Sequence, residues 1–317
     1  MHDNSILLTY LPHGSNPKSF YPIDESSPDW TEFSKFRSEF DSKNNSPEFS
    51  ILFNNRNIRR KSPGDVLLSY KRFCDGLSKQ DAAKCCLIMK TSVIDDNGTD
   101  LLAVKKVVCP KYRVLFIPDL MSTQQMNWLY NVCDVVLFLS SAEGFGLAAN
   151  EGMLAGRMLV APVTGGLQDQ MRFEDSYGRW IQFSDQFTTN HRGAYRSAGP
   201  WCVPLFPTSR VLNGSPATPY IFDDYVDAET AAQALRSIYD MPKELRREMG
   251  LSGRDWAMSK ESGMSSPEMC NHFIESINAL LQTWVPPAKK WEMVTVGERP
   301  IADNIGVQWW GENLKAD

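Results

Sequence analysis

Five short apolar runs recur between residues 50 and 161, with stretches of helical period between them. Ser50–Asn54 (SILFN) reads as a buried strand. Pro63–Leu77 then puts Val66, Leu67, Tyr70, Phe73 and Leu77 on one helical face. Cys85–Lys90 (CCLIMK), Arg113–Ile117 (RVLFI), Asp134–Leu139 (DVVLFL) and Met158–Ala161 read as further strands. Helices are expected over Ser122–Asn131 and Phe145–Ala155. Strands that alternate with helices at this spacing form a parallel sheet covered on both faces. The expected fold is therefore α/β, a Rossmann-like doubly wound parallel sheet.

The flanks set the expected domain organisation. Residues 1–48 read as a linker and N-terminal extension. Within it, Pro12, Gly14, Pro17 and Pro22 mark an extended connector, and Trp30, Phe33 and Phe36 stand at helical spacing in a surface helix. Residues 49–285 form the expected Rossmann-like domain. It is interrupted at about 184–218 by a Thr-, Ser-, Gly- and Pro-rich segment expected as an insertion loop, followed by helices near 227–240, 243–258 and 265–284. Residues 286–317 are a tail whose Trp291, Trp309 and Trp310 read as packing anchors.

Charge and cysteine usage exclude several classes. The net charge of −5 is a poor basis for gripping nucleic acid by charge. The seven cysteines are scattered and lack C-x-x-C spacing, which argues against a structural zinc site and a disulfide framework. No run of eighteen apolar residues is present, so no membrane span is expected. Met1-His2-Asp3-Asn4 has no basic or apolar leader character, so the expected address is cytoplasmic, and Asn97-Gly-Thr99 and Asn213-Gly-Ser215 read as turns.

The chemistry concentrates in Ser140–Asp169, SSAEGFGLAANEGMLAGRMLVAPVTGGLQD. This stretch follows a strand and opens a helix, so Glu143, Gly144, Phe145 and Gly146 make a tight turn at a helix start. Unpaired N–H groups and the helix dipole favour an anion there, and glycines let a ligand approach the backbone. Glu143 and Glu151 flank the turn, and carboxylates accept hydrogen bonds from sugar or ribose hydroxyls. Arg56 and Lys61 follow the first strand, at the end where open α/β sheets place ligands, and could neutralise a diphosphate. Arg59 and Arg60 read as solvated, Arg157 as structural, and Gly165-Gly166 as either a turn or a ligand loop.

These motifs together resemble the donor-binding, C-terminal domain of retaining GT-B glycosyltransferases, the group that includes glycogen synthases and sucrose or trehalose-phosphate synthases. The group's E-x₇-E stands as Glu143-Gly-Phe-Gly-Leu-Ala-Ala-Asn-Glu151, and its R-x₄-K runs from Arg56 to Lys61. Pro12-His-Gly-Ser-Asn16 with Phe20 and Pro22 is similar to the group's entry segment, and Gly165-Gly166 to its glycine pair. The likeness runs over roughly residues 8–285 and is strongest over 134–170.

The resemblance implies a retaining transfer from a nucleoside-diphosphate sugar. Arg56 and Lys61 would take the diphosphate, Glu143 the donor sugar and Glu151 the ribose. Gly144, Phe145, Gly146 and Leu147 would lie against sugar or phosphate, and Ile117 against the base. Pro118-Asp119-Leu120 stands where the group commonly has a glycine, which leaves the base open. Neither a metal nor a cofactor is called for. The group's other half carries the acceptor site and often a catalytic histidine, and none of His2, His13, His191 and His272 has a matching context. An acceptor domain in a separate polypeptide, or a homo-oligomer, is the implied partner. A non-catalytic nucleotide-sugar-binding or assembly protein is the alternative. A sugar phosphorylase would need a cofactor lysine that has no candidate here.

Overall fold

The computed structural model describes residues 9–182 and 190–284. The tail tryptophans Trp291, Trp309 and Trp310, and part of the expected 184–218 loop, lie outside the described residues. The chain divides into two compact units, residues 1–276 and 277–317, and the sheet lies in the first.

Six parallel strands make the sheet: β1 (Phe49–Asn54), β2 (Cys85–Lys90), β3 (Val114–Phe116), β4 (Val135–Leu137), β5 (Met158–Pro162) and β6 (Cys202–Leu205). Their order is β3-β2-β1-β4-β5-β6. Side chains alternate across the strands and feed two cores. Ile51 and Phe53 face α2 (Pro63–Asp75), α4 (Leu101–Val108) and α8 (Ala228–Tyr239), whereas Leu52 faces the other layer. That second layer holds α1 (Trp30–Lys43), α5 (Thr123–Asn131), α6 (Leu147–Leu154), α7 (Gly166–Gln170) and α9 (Lys243–Met258). Burial on both faces is why β1 reads FSILFN rather than as an apolar/polar alternation. Two further helices are α3 (Lys79–Ala83) and α10 (Ser266–Thr283), the latter running past residue 276. Among the described residues, no helix is long and apolar enough to cross a membrane.

Local chemistry sets the helix boundaries. Ser122 and Gln125 form a reciprocal capping box at the head of α5. Asp100 and Asp227 cap α4 and α8 through their carboxylates. Pro63 opens α2 at a position where its missing N–H costs nothing.

The segment before the sheet is stitched down by asparagines. Asn127 Oδ1 accepts from Tyr21 N–H (3.0 Å), Asn131 Oδ1 from Ile23 N–H (2.9 Å), and Asn150 Oδ1 from Ser15 N–H (2.9 Å). Asp29 accepts from both the Tyr21 hydroxyl and Trp128 Nε1, which fixes α1 against α5.

The expected loop at 184–218 is partly structured. It contributes the sixth strand of the sheet and the first arm of an antiparallel hairpin, β7 (Ser209–Ser215) with β8 (Thr218–Tyr225). Asn213-Gly-Ser215, expected as a turn, forms the end of β7 and carries a bulge. The hairpin is fastened at its base. Asp224 accepts from Thr164 Oγ1 (3.1 Å), Asn190 Nδ2 (2.7 Å) and Arg210 Nε (3.2 Å), and Ser141 Oγ donates to Asp223 (3.0 Å).

Candidate functional site

The strand order reverses direction between β1 and β4, and a crevice opens at the carboxyl ends of that pair. Two loops form its walls, Asn55–Ser62 after β1 and Phe138–Gly146 after β4. They are joined by the Ser141 N–H, which donates to Arg60 O (2.8 Å). The crevice has a volume of about 340 Å³ and is lined by His13, Asn55, Lys61, Glu143, Phe145 to Ala148 and Phe138.

Lys61 and Glu143 meet inside it as an ion pair, both side chains below a tenth exposed. Ser140 Oγ also donates to Glu143 Oε1 (2.9 Å), and Arg60 Nη1 approaches Oε2 (3.4 Å) while donating to Ala142 O (2.9 Å). Burial pushes the Lys61 ammonium below its ordinary pKa, opposed by the hydrogen bond and charge of Glu143. An anionic ligand entering the crevice therefore meets a desolvated cation already committed to a carboxylate.

The turn between Glu143 and α6 needs its glycines for different reasons. Gly146 has φ +88° and caps the helix, and a Cβ there would sit 2.7 Å from Leu167 Cδ2. A Cβ on Gly144 would meet nothing within 4 Å. The glycine pair explains itself by packing. At Gly165, with φ +50°, a Cβ would fall 1.7 Å from Glu143 O, and at Gly166 2.5 Å from Gly144 O. The first N–H groups of a helix have no partner within it, and Leu147 and Ala148, at the head of α6, line the crevice. The Phe145 carbonyl is taken up internally by Gln170 Nε2 (2.6 Å). His13 packs edge-on against the Phe145 ring at 5.6 Å.

Glu151 lies one turn further along α6. Its Oε2 accepts from the Tyr130 hydroxyl (2.7 Å), and that hydroxyl accepts from Asn54 Nδ2 (2.8 Å). Burial raises the Glu151 pKa above the usual carboxylate range, and the Tyr130 hydrogen bond opposes the rise.

The structure thus gathers Lys61, Glu143, Phe145, Gly146 and Leu147 around one crevice, with Gly144 in the same turn and Glu151 just behind. Arg56 is not among the lining residues. It is exposed, and its Nε donates to Asp95 Oδ2 (2.9 Å) across the adjoining loop. Ile117 directly follows β3, two strands away from β1, with its N–H on Met89 O (2.9 Å), and Leu120 beyond it is fully exposed. Arg60, expected as solvated, reaches the Glu143 carboxylate, and Arg157 is structural in that it donates to the carbonyls of Ala155 and Cys133. Sequence pattern does not single out Ser140, Asn55 or Tyr130. Only the position of Asn55 directly before Arg56 gives a hint. Among the described residues no group of three or more His, Cys, Asp or Glu could hold a metal.

No known family profile matches the chain. Over 121 residues, 35% of this chain and 33% of the other, it is 31% identical to the uncharacterized glycosyltransferase YqgM of Bacillus subtilis. The fold is similar to sucrose-phosphate synthase from Thermosynechococcus elongatus, with a TM-score of 0.55 at 18% identity, over 86% of this chain and 52% of that one. It is equally similar to Anabaena HepE, solved in complex with UDP and glucose, with a TM-score of 0.55 at 13% identity over 85% and 56%. The chain has a Rossmann-like α/β fold of the kind found in GT-B glycosyltransferases. It spans about half the length of these solved structures and a third of the curated relative.

Proposed function

We propose that residues 49–285 bind a nucleoside-diphosphate sugar and take part in transferring its glycosyl group with retention. The observation that carries this reading is the convergence of Lys61, Glu143 and the head of α6 on one crevice at the sheet's switch point. Lys61 and the first N–H groups of α6 would stabilise the leaving diphosphate. Glu143 would face the donor sugar once the ligand phosphates draw Lys61 away. Glu151 would accept from the ribose hydroxyls. Arg56 would add to the phosphate site only after leaving Asp95, and Arg60 is the nearer second cation. Ile117 is the proposed contact of the base. The acceptor would be held by a separate polypeptide or a second copy of the chain. HepE with UDP and glucose supports UDP-glucose as the first donor to try.

A thermal-shift screen against UDP-, GDP-, ADP- and TDP-sugars tests the reading. A donor at 100 times its Kd adds about 2.7 kcal/mol of stability. A shift with one donor class supports the site and identifies the base, whereas no shift with any of them counts against it. Binding without transfer to any acceptor would favour a non-catalytic binding or assembly protein.

A further inference from the structure

Tyr130 is fully buried in the core of the α1–α5–α6 layer, yet its hydroxyl is not idle. It receives a hydrogen bond from Asn54 Nδ2 (2.8 Å), leaving its proton for an acceptor. Two acceptors are in reach, Glu151 Oε2 at 2.7 Å and Ala148 O at 3.2 Å, and the charged, closer oxygen prevails. Glu151 Oε1 has no partner among the described residues. One carboxylate oxygen is therefore committed to the protein and the other is open. Ala148 and Glu151 are three residues apart on α6, hence on one face, and Ala148 lines the crevice.

We propose that Tyr130 is a positioning residue: with Asn54 behind it, it fixes the Glu151 side chain in one rotamer through the hydrogen bond to Oε2, and leaves Oε1 to receive ligand hydroxyls. This inference rests on the proposed donor-binding role of the crevice. The three residues come from three elements. Asn54 ends β1, Tyr130 lies on α5 and Glu151 on α6, so the relay ties Glu151 to the strand that leads directly into Asn55–Lys61. A phenylalanine would fill the same core volume, so packing does not explain the hydroxyl.

Burial raises the Glu151 pKa, and the Tyr130 hydrogen bond is the side-chain contact that opposes the rise. Tyr130 is the titratable side chain that acts on it, and Asn54 from β1 is neutral. β4 and β5 turn apolar side chains towards α6. α7 and α9 bring Asp169 and Arg254, which are engaged by the Tyr10 hydroxyl and by the carbonyls of Phe20 and Leu154. Cys133 faces Tyr130 with its thiol pushed up by burial, and Lys61 and Glu143 are paired in the crevice. Without the phenol proton, burial alone governs the carboxyl group, whose pKa must then rise.

The test is Tyr130→Phe, read in two ways on the full chain. Carbon-13 NMR of labelled glutamate carboxyls, with Glu151 assigned through Glu151→Gln, follows the titration midpoint in the free protein. Calorimetry with the donor found in the screen follows affinity from pH 5 to 8. The expected result is a higher Glu151 midpoint and a donor affinity about tenfold weaker at neutral pH, with the acid loss of affinity beginning at higher pH. Adding Glu151→Gln should abolish the pH shift. Asn54→Ala, which leaves the core aromatic in place, should move both readouts the same way by less, and it decides the matter if Tyr130→Phe folds poorly. An unchanged midpoint with an unchanged affinity profile overturns the inference, even if the melting temperature falls. A wild-type chain that binds no nucleotide sugar at any pH would sink the proposed function, while the NMR titration would still decide whether the Tyr130 hydrogen bond lowers the Glu151 midpoint.

Discussion

Lys61 and Glu143 reach the crevice from different loops and neutralise one another there, both shielded from solvent. Removing one partner of such a pair strands the other charge, so Lys61→Ala should cost about 3 kcal/mol of stability. It should also weaken nucleoside diphosphates and their sugars while hardly touching the free nucleoside. Calorimetry with both ligand types checks this, and equal losses would contradict a phosphate role for Lys61.

Arg56 should behave differently. It is exposed and paired with Asp95 at the surface, so Arg56→Ala should leave the melting temperature nearly unchanged. Its effect on donor affinity should be smaller than that of Lys61→Ala. A larger effect would mean that ligand entry swings Arg56 from Asp95 into the crevice.

The hairpin should come loose from a single carboxylate. Asp224 is 5% exposed and gathers Thr164, Asn190 and Arg210. Asp224→Ala should cost about 3 kcal/mol and speed amide exchange across residues 209–225. Unchanged exchange there would show that the Ser141–Asp223 contact and the strand pairing suffice.

Acid should act through His191. Burial lowers its pKa from 6.5 to about 4, helped by Arg196. Its ring packs edge-on against Phe173 at 4.3 Å. Between about pH 6.5 and 4 the unfolded chain binds a proton that the folded chain refuses, so stability falls as pH falls through that window. Melting curves of wild type and His191→Gln across this range should converge towards pH 4, as the wild type loses more. Parallel curves would exclude the imidazole as the source.

Much of this fold is legible because its strands are buried on both faces. SILFN, CCLIMK and DVVLFL have no other stable place, and the helices between them carry clear stripes. Cys202–Leu205 is hidden from pattern reading because it is a four-residue edge strand embedded among glycines and prolines. The hairpin is hidden because Leu212, Tyr220 and Phe222 project outward and give no core periodicity. In the crevice, Glu143 and Gly146 can be picked because the backbone around a helix start is local, and Lys61 because it follows the first strand at the end where open α/β sheets place ligands. The partners of those residues are not legible. Tyr130 meets Glu151 from 21 positions away and Arg56 meets Asp95 across 39, and side-chain direction over such separations is set by packing.

Gly165 has a meaning for anyone who would redesign the crevice. Its missing Cβ is the space occupied by the Glu143 carbonyl, and Gly166 N–H closes the contact on Gly144 O (3.1 Å). The two loops are thus a single transplantable cassette. Grafting the Glu143 turn from a relative without the matching Thr164–Gly166 bend would bring backbone into backbone, so diversification of this pocket has to proceed by paired exchange.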